Sequence, residues 1–148
     1  MKLNPNWVSG FTDGEGTFYI GINQNSTMSI GYQVLPEFRI VQHQRDIKLL
    51  YELKKFFQAG VVRVNHDERY ELRIRSLKHI NQIVIPHFDK YPLKTQKKFD
   101  FIKFKKIINL MNQNQHLKIN GLKKIIQISS KMNRGSKDKA LRILSELE

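Results

Sequence analysis

The chain has 148 residues, enough for one domain with a substantial core, and its 40% hydrophobic and 26% charged residues are ordinary for a globular protein. Its formal net charge of +13 is not ordinary and predicts a polyanionic partner, nucleic acid before an anionic membrane. Cysteine is absent, which excludes disulfides and thiolate metal sites, and no apolar run approaches ~18 residues, so we expect no membrane-spanning segment.

The first predicted helix has Asn4 as its N-cap, followed by a proline, and runs to about Gly14. We expect Gly16 to supply the left-handed residue that ends it. This helix carries two costs. Glycine at Gly10 and Gly14 is about 1 kcal/mol less favourable than alanine, and Glu15 lies at the negative end of the helix macrodipole. An interaction outside the helix is therefore expected to offset both.

Four stretches with strand character follow, at 17–23, 33–41, 61–65 and 69–75, and the last two are joined by a predicted hairpin turn. Their even-numbered positions carry the apolar side chains, which are Phe18, Ile20, Ile22, Val34, Phe38, Ile40, Val62, Val64, Leu72 and Ile74. Since side chains alternate between the two faces of a strand, this pattern predicts an antiparallel sheet with one dry face and one polar face.

The odd-numbered positions of these strands are rich in Arg, Asn, Gln and Tyr, the hydrogen-bonding side chains that read base edges. We interpret them as a nucleic-acid recognition surface rather than a merely solvated face. The predicted DNA-binding residues are Tyr19, Asn23, Asn25, Gln33, Glu37, Arg39, Arg63, Asn65, Arg69, Glu71, Arg73 and Arg75. Fourteen of the eighteen lysines follow Ser76, where they suit phosphate contacts or an ordinary solvated surface equally well.

The remaining predicted elements are helices. They cover 47–57 with Asp46 as cap, 77–85 with Ser76 as cap and Pro86 as stop, 96–111 with Thr95 as cap, 121–132, and 137–147. The order of helix, two strands, helix, two strands and further helices is typical of an α+β domain with helices on one face of an antiparallel sheet.

Residues 8–16, VSGFTDGEG, do not fit the common glycine-rich motifs: the glycines precede a strand rather than follow one, the calcium-loop positions are wrong, and no Gly-Lys-Ser/Thr is present. Gly10 and Gly14 instead share one helix face and expose bare backbone, which permits close approach of a second helix. If that helix comes from another copy, the acids at the two helix ends converge, and a divalent cation between them would offset their repulsion.

The same nine residues resemble the nonapeptide that names the LAGLIDADG homing endonuclease family. The similarity extends to PEFRIVQ, FFQAG, VVRV, PHFDKYPLKTQKKFDF and GLKKIIQISSKMN, nearly the whole chain. It implies the family's αββαββα fold, a saddle-shaped four-stranded antiparallel sheet in each protomer with helices on one face. Residues 1–148 would form a single endonuclease domain, with the motif and dimer helix at 1–16, two hairpin regions and a helix at 17–75, and lysine-rich helices at 76–148.

The resemblance also implies an active site. Glu15, in place of the commoner Asp, and the carbonyl of Gly14 would hold the catalytic divalent metal, with Mg²⁺ expected and Mn²⁺ as a substitute. Gln42 would orient water, although its even number points it toward the dry face. Lys94 would stabilise charge at the scissile phosphate. Asp13 is expected to cap or bond backbone instead.

The sequence leaves alternatives for the lysine at the scissile phosphate, and it also bears on how the chain assembles. Lys97 and Lys98 could replace Lys94. A single motif implies a homodimer, for which we predict an interface of Trp7, Gly10, Phe11 and Gly14. Such a dimer would cut double-stranded DNA at a long near-palindromic site and leave short 3′ overhangs.

Two other functions remain open at this stage: an RNA-splicing maturase that binds intron RNA, and a sequence-specific DNA-binding protein that no longer cleaves. The chain could also be half of a two-motif protein. Lys, Ile and Asn make up 46 of its 148 residues, a bias typical of AT-rich genomes, which together with the resemblance suggests an organelle, mitochondrion or chloroplast.

Overall fold

We describe the fold from a computed structural model, which describes residues 2–133 and 137–148. In chain order its helices and strands are α1 (Pro5–Glu15), β1 (Gly16–Gln24), β2 (Tyr32–His43), α2 (Ile47–Phe57), β3 (Val61–His66), β4 (Arg69–Ile74), α3 (Leu77–His79), α4 (Ile85–Lys90), α5 (Lys97–Asn112), α6 (Ile119–Ser129) and α7 (Lys137–Glu146). Two 3-10 turns, Gln44–Asp46 and Gln115–Leu117, and a π-helical turn, Ile80–Val84, lie between them.

The four strands form one antiparallel sheet in the order β1-β2-β4-β3. In its register β2 pairs Arg39 with Arg73 of β4, and β3 pairs Arg63 with Glu71 of β4. The α+β class and the four-stranded sheet predicted from the sequence are confirmed.

The chain divides into two compact units. One contains α1 and the start of β1, up to Phe18, together with Glu37–Lys98; the other contains Tyr19–Pro36 and Phe99–Glu148. The boundaries of these units differ from those of the predicted segments 1–16, 17–75 and 76–148. The assignment of 1–148 to a single domain stays a prediction.

Each unit has its own apolar core. In the first, the rings of Phe18, Phe38 and Phe88 lie 5.2–5.5 Å apart and are almost fully buried. In the second, the even-numbered side chains of β1 are buried, as are inward residues of α5 and α6, among them Ile20, Ile22, Phe104, Ile107, Leu122 and Ile125. The predicted dry face is thus confirmed for β1, β2 and β4.

For β3 the predicted alternation is wrong. Val64 is 49% exposed and Val62 only half-buried. The strand is the last in the sheet order and has a neighbour on one side only. Its register also shifts between Val64 and His66, and such a bulge turns side chains away from the regular pleat.

Some of the predicted helix caps and stop signals are confirmed and others are wrong. The side chain of Asn4 accepts the Asn6 N–H at 2.8 Å, which confirms that cap, and Thr95 Oγ1 accepts the Lys97 N–H at 3.3 Å. The Asp46 side chain makes no capping bond to α2. Pro86 does not stop its helix, because it lies in the first turn of α4, where the missing N–H costs no helical hydrogen bond.

A buried polar contact joins α1 to the helical segment at Pro86. Ser9, 3% exposed, donates its hydroxyl to the Tyr91 carbonyl at 2.6 Å, so its oxygen is left to accept from His87 Nε2, which lies 3.1 Å away. The rings of Phe57 and Phe88 pack against the imidazole. Burial lowers the pKa of His87 from its usual 6.5 to about 4. The imidazole is therefore neutral and donates through Nε2.

Because His87 is buried in its neutral form, we predict that the free energy of unfolding falls in acid. Between about pH 4 and 6.5 the unfolded chain carries a proton on His87 that the folded chain does not, so stability is fully present above pH 6.5 and falls as the pH drops toward 4. Denaturant unfolding from pH 8 to 4 measures the slope. His87→Gln should flatten it, while His79→Gln serves as the matched control; equal slopes for wild type and His87→Gln would contradict the assignment. Burial lowers the pKa of His116 as well, so the comparison of variants is essential.

Candidate functional site

The C-terminal end of α1 is fixed by the carboxylate of Asp13. Its Oδ2 accepts the Lys94 N–H at 2.9 Å, and its Oδ1 accepts the N–H and hydroxyl of Thr95 at 3.1 and 2.7 Å. Partial burial raises the pKa of Asp13, but these hydrogen bonds and the nearby Lys97 charge outweigh it and leave the pKa lowered. The expectation that Asp13 bonds backbone is confirmed.

A lysine ammonium lies on the same helix end. Lys97 Nζ is 3.0 Å from the Thr12 carbonyl oxygen and 3.1 Å from that of Asp13. The Thr12 oxygen also accepts the Gly16 N–H, so the ammonium adds a second bond there. A cation at this position also offsets the negative end of the helix macrodipole. One of the two costs noted for α1 is thereby reduced within the chain itself.

Glu15, the last residue of α1, is exposed, and its carboxylate makes no hydrogen bond or ion pair with residues 2–133 or 137–148. Its neighbour Gly14 is exposed too. Carboxylate and carbonyl oxygens are the donors that Mg²⁺ prefers, so the donor types fit. Their number is small for one ion: within those same residues no three His, Asp or Glu side chains come together as a metal site. The chain would supply part of a ligand set.

Gly16 ends α1 for a reason other than the one expected. Its φ of −89° is extended rather than left-handed, so that prediction is wrong. A methyl group added at Gly16 would lie 2.6 Å from Thr12 Cγ2 and 3.0 Å from the Thr12 carbonyl oxygen. Glycine is required because the first residue of β1 passes tightly over the buried Thr12 side chain.

Gln42 lies next to the end of β2 and is half-buried. Since β1 begins at Gly16 and β2 ends at His43, and antiparallel neighbours run in opposite directions, these two strand ends lie at the same end of the sheet. The fold therefore brings Gln42 to the end of the sheet where α1 delivers Glu15.

Lys94 is exposed and contacts α1 through its backbone N–H rather than its ammonium. Lys97, three residues later and the first residue of α5, is the lysine whose ammonium reaches the end of α1. The resemblance assigned the role to Lys94, with Lys97 and Lys98 as alternatives, because the sequence does not show how the loop bonds to Asp13. The role assigned to Lys94 stays a prediction, and Lys97 joins it as a candidate.

The predicted interface residues form one stripe along α1. Trp7, Gly10, Phe11 and Gly14 follow the spacing i, i+3, i+4, i+7, opposite the buried Val8 and Thr12 face. Trp7 is 44% exposed, and its ring stacks on Phe11 at 4.9 Å. A methyl group at Gly10 or Gly14 would meet nothing within 4 Å among the residues that the structure describes. Packing within the chain therefore gives no reason for either glycine.

The predicted recognition residues differ in burial. In the first unit Glu37 and Glu71 are 3% and 6% exposed, whereas the other polar-face residues there are half-buried or exposed: Arg39, Arg63, Asn65, Arg69, Arg73 and Arg75. In the second unit Tyr19 and Asn23 are exposed, and Asn25 Nδ2 donates to Gln33 Oε1 at 3.1 Å. The base-reading role of all twelve residues stays a prediction.

No helix within the described ranges is long and apolar enough to cross a membrane.

The chain is similar to known proteins in both sequence and structure. A family model described as LAGLIDADG endonuclease matches residues 8–108. A probable intron-encoded endonuclease of Neurospora crassa is 36% identical over 135 residues, covering 90% of this chain and 30% of its own length. The chain thus spans less than a third of that curated relative.

Two solved structures are similar over the whole fold. The crystal structure of a homing endonuclease, I-TnaI, is 54% identical with a TM-score of 0.96, and each chain is covered completely. A structure of I-SmaMI bound to an uncleaved DNA target in the presence of calcium ions is 34% identical with a TM-score of 0.93, covering 98% of this chain and 50% of that one.

Proposed function

Since the chain belongs to the LAGLIDADG endonuclease family, we propose that it is a site-specific double-strand DNA endonuclease that hydrolyses phosphodiester bonds. The observation that carries this proposal is the exposed, unengaged carboxylate of Glu15, with Lys97 on the same helix end and Gln42 at the same end of the sheet. A protein that only bound DNA would gain nothing from an acid at the negative end of a helix.

The residues of the site have separate tasks in this proposal. Bound magnesium would supply Lewis-acid stabilisation and a water of lowered pKa, with manganese as a substitute. Glu15 and the Gly14 carbonyl would hold it, together with oxygens from outside the chain. Gln42 orients the attacking water. Lys97, or Lys94 as the resemblance has it, offsets the charge that develops at the phosphate.

The α1 stripe supports assembly as a homodimer. Alanine at Gly10 or Gly14 would meet no steric obstacle in the described part of the chain and would favour the helix by about 1 kcal/mol. Glycine is therefore best explained by the backbone of a second α1 lying against it. Two-fold symmetry would place two active sites side by side and favour a near-palindromic target. The short 3′ overhangs are what the family resemblance implies. The same stripe would serve a linked second half if the chain is part of a longer protein.

The setting we propose is an organelle, mitochondrion or chloroplast. The Lys-, Ile- and Asn-rich composition and the intron-encoded relative support this. The I-SmaMI structure, which is bound to an uncleaved DNA target, supports double-stranded DNA as the partner.

The first test removes the charge of Glu15. After a duplex target has been selected from a randomised library, Glu15→Gln should cut it roughly 100-fold more slowly or worse, because a group that stabilises the transition state is lost. DNA affinity in calcium should stay close to wild type. Glu148→Gln, which removes an exposed acid elsewhere, is the control. Full cleavage by Glu15→Gln would remove the metal assignment, and selective binding by wild type without any scission would favour a non-cleaving protein.

A matched pair of lysine variants separates the two candidates. Lys97→Gln should lower the single-turnover cleavage rate by on the order of 10-fold or more, because its ammonium is the one held at the end of α1, whereas Lys94→Gln should change the rate little. Thermal unfolding of both proteins shows whether loss of the carbonyl contacts has merely loosened α1. A greater effect of Lys94→Gln on rate would restore the assignment made by resemblance.

The interface test introduces bulk where the backbone is bare. Gly10→Leu should convert the dimer to a monomer, since a leucine side chain would hold two helices apart, while the fold of each chain persists because the site is open. Lys48→Leu adds the same side chain to an exposed position of α2 and should leave the dimer intact. Sedimentation equilibrium gives the masses; an unchanged dimer with Gly10→Leu would exclude the α1 interface.

A further inference from the structure

The polar face of the sheet contains two buried acids among its arginines, and the arginines are not equivalent. Glu37, whose side chain is 5% exposed, accepts from Arg39 Nη1 through Oε2 and from Arg75 Nε through Oε1, both at 2.8 Å. Each oxygen of this carboxylate is therefore engaged by one arginine. Buried charge-assisted pairs of this kind fix side-chain geometry.

A second acid engages a third arginine more loosely. Glu71 lies opposite Arg63 in the β3–β4 register, and Glu71 Oε1 is 3.4 Å from Asn65 Nδ2 and 4.0 Å from Arg63 Nε. Arg63 also donates from Nε to the Val64 carbonyl. The other carboxylate oxygen, Glu71 Oε2, is buried without a hydrogen-bond partner among the described residues.

Arg73 differs from these three. It lies on β4 between Arg39 of β2 and Val61 of β3, in the interior of the sheet. Its guanidinium makes no hydrogen bond and no ion pair with residues 2–133 or 137–148. Glu71, two residues along the same face, makes no hydrogen bond to it, although the charges of Glu37 and Glu71 attract the guanidinium. Desolvation, then repulsion from Arg75 and Arg63, lowers the pKa of Arg73.

From this arrangement we infer that Arg73 is a specificity-determining arginine of the face, reading a guanine in the major groove, and that Glu37 is a positioning residue which fixes Arg39 and Arg75. The inference rests on the proposed function. A guanidinium with all five N–H donors uncommitted can make the bidentate contact to guanine O6 and N7. Because both oxygens of the buried Glu37 carboxylate already accept from arginines, we assign it a role through Arg39 and Arg75 in place of a direct base contact.

The experiment is selection by binding, with the full chain in calcium, from a randomised duplex library followed by sequencing. Wild type should select guanine at one position of each half-site by about 10-fold or more over other bases, and Arg73→Ala should erase that preference while others persist. Arg45→Ala, which removes an arginine outside the sheet, should leave every base preference unchanged. Glu37→Gln should broaden two other positions of each half-site together and leave the guanine position intact.

The outcomes separate the inference from its premise. If wild type selects no sequence, the proposed function fails and takes this inference with it. If wild type selects a site and Arg73→Ala keeps every guanine preference, or loses affinity equally for all sequences, only the assignment of Arg73 is overturned.

Because Glu37→Gln could unfold the sheet, Arg39→Gln and Arg75→Gln are also measured, each as a single substitution. Each should broaden one of the two positions that Glu37→Gln broadens, and sharp preferences in both would overturn the positioning role.

Discussion

The seating of the C-terminal end of α1 is the constraint on which the site depends. Asp13 bonds the loop before α5, and Lys97 reaches back from α5 to the carbonyls of Thr12 and Asp13. Together these contacts fix the C-terminal end of α1 against the loop and the start of α5. Glu15 follows directly and is left exposed, so its carboxylate is free for a ligand from outside the chain.

The two faces of α1 differ: one face is buried within the chain, and the other is exposed and suited to contact with a partner. Its inner face is completed within the chain by buried Val8, Ser9 and Thr12. Its outer stripe contains Trp7 and two glycines with open space above them. Helix propensity alone would favour alanine at both glycines. A second α1 against this stripe would account for the glycines and would bring two Glu15 carboxylates to one cation-binding region.

The sequence was informative where a local rule acts without competition. Alternation predicted the dry face of β1, β2 and β4, because a two-residue period has only one register that buries Phe18, Phe38 and Leu72 together. It failed at Val64, where an edge position and a bulge release the strand from the pattern. Pro86 was misread because a π-helical turn precedes it, and the helix resumes with proline in its first turn.

The details of the site needed three-dimensional information. Gly16 was expected for its dihedral angles but is required by contact with Thr12, four residues back along the chain. Only the structure shows that Lys94 contacts α1 through its backbone N–H and Lys97 through its ammonium. Likewise, an acid such as Glu37 looks like any other polar-face residue until burial and two arginine contacts show its engagement. Sequence patterns identify the face of an element, whereas hydrogen-bond partners decide what each side chain does.

The most direct measurement of the central claim is the crystal structure of the chain on its selected duplex with calcium. We predict two α1 helices side by side, with Gly10 and Gly14 of each in contact with the other backbone and both Glu15 carboxylates beside bound calcium at the scissile phosphates. An α1 stripe that faces solvent, or Glu15 side chains remote from the metal and the DNA, would contradict the account.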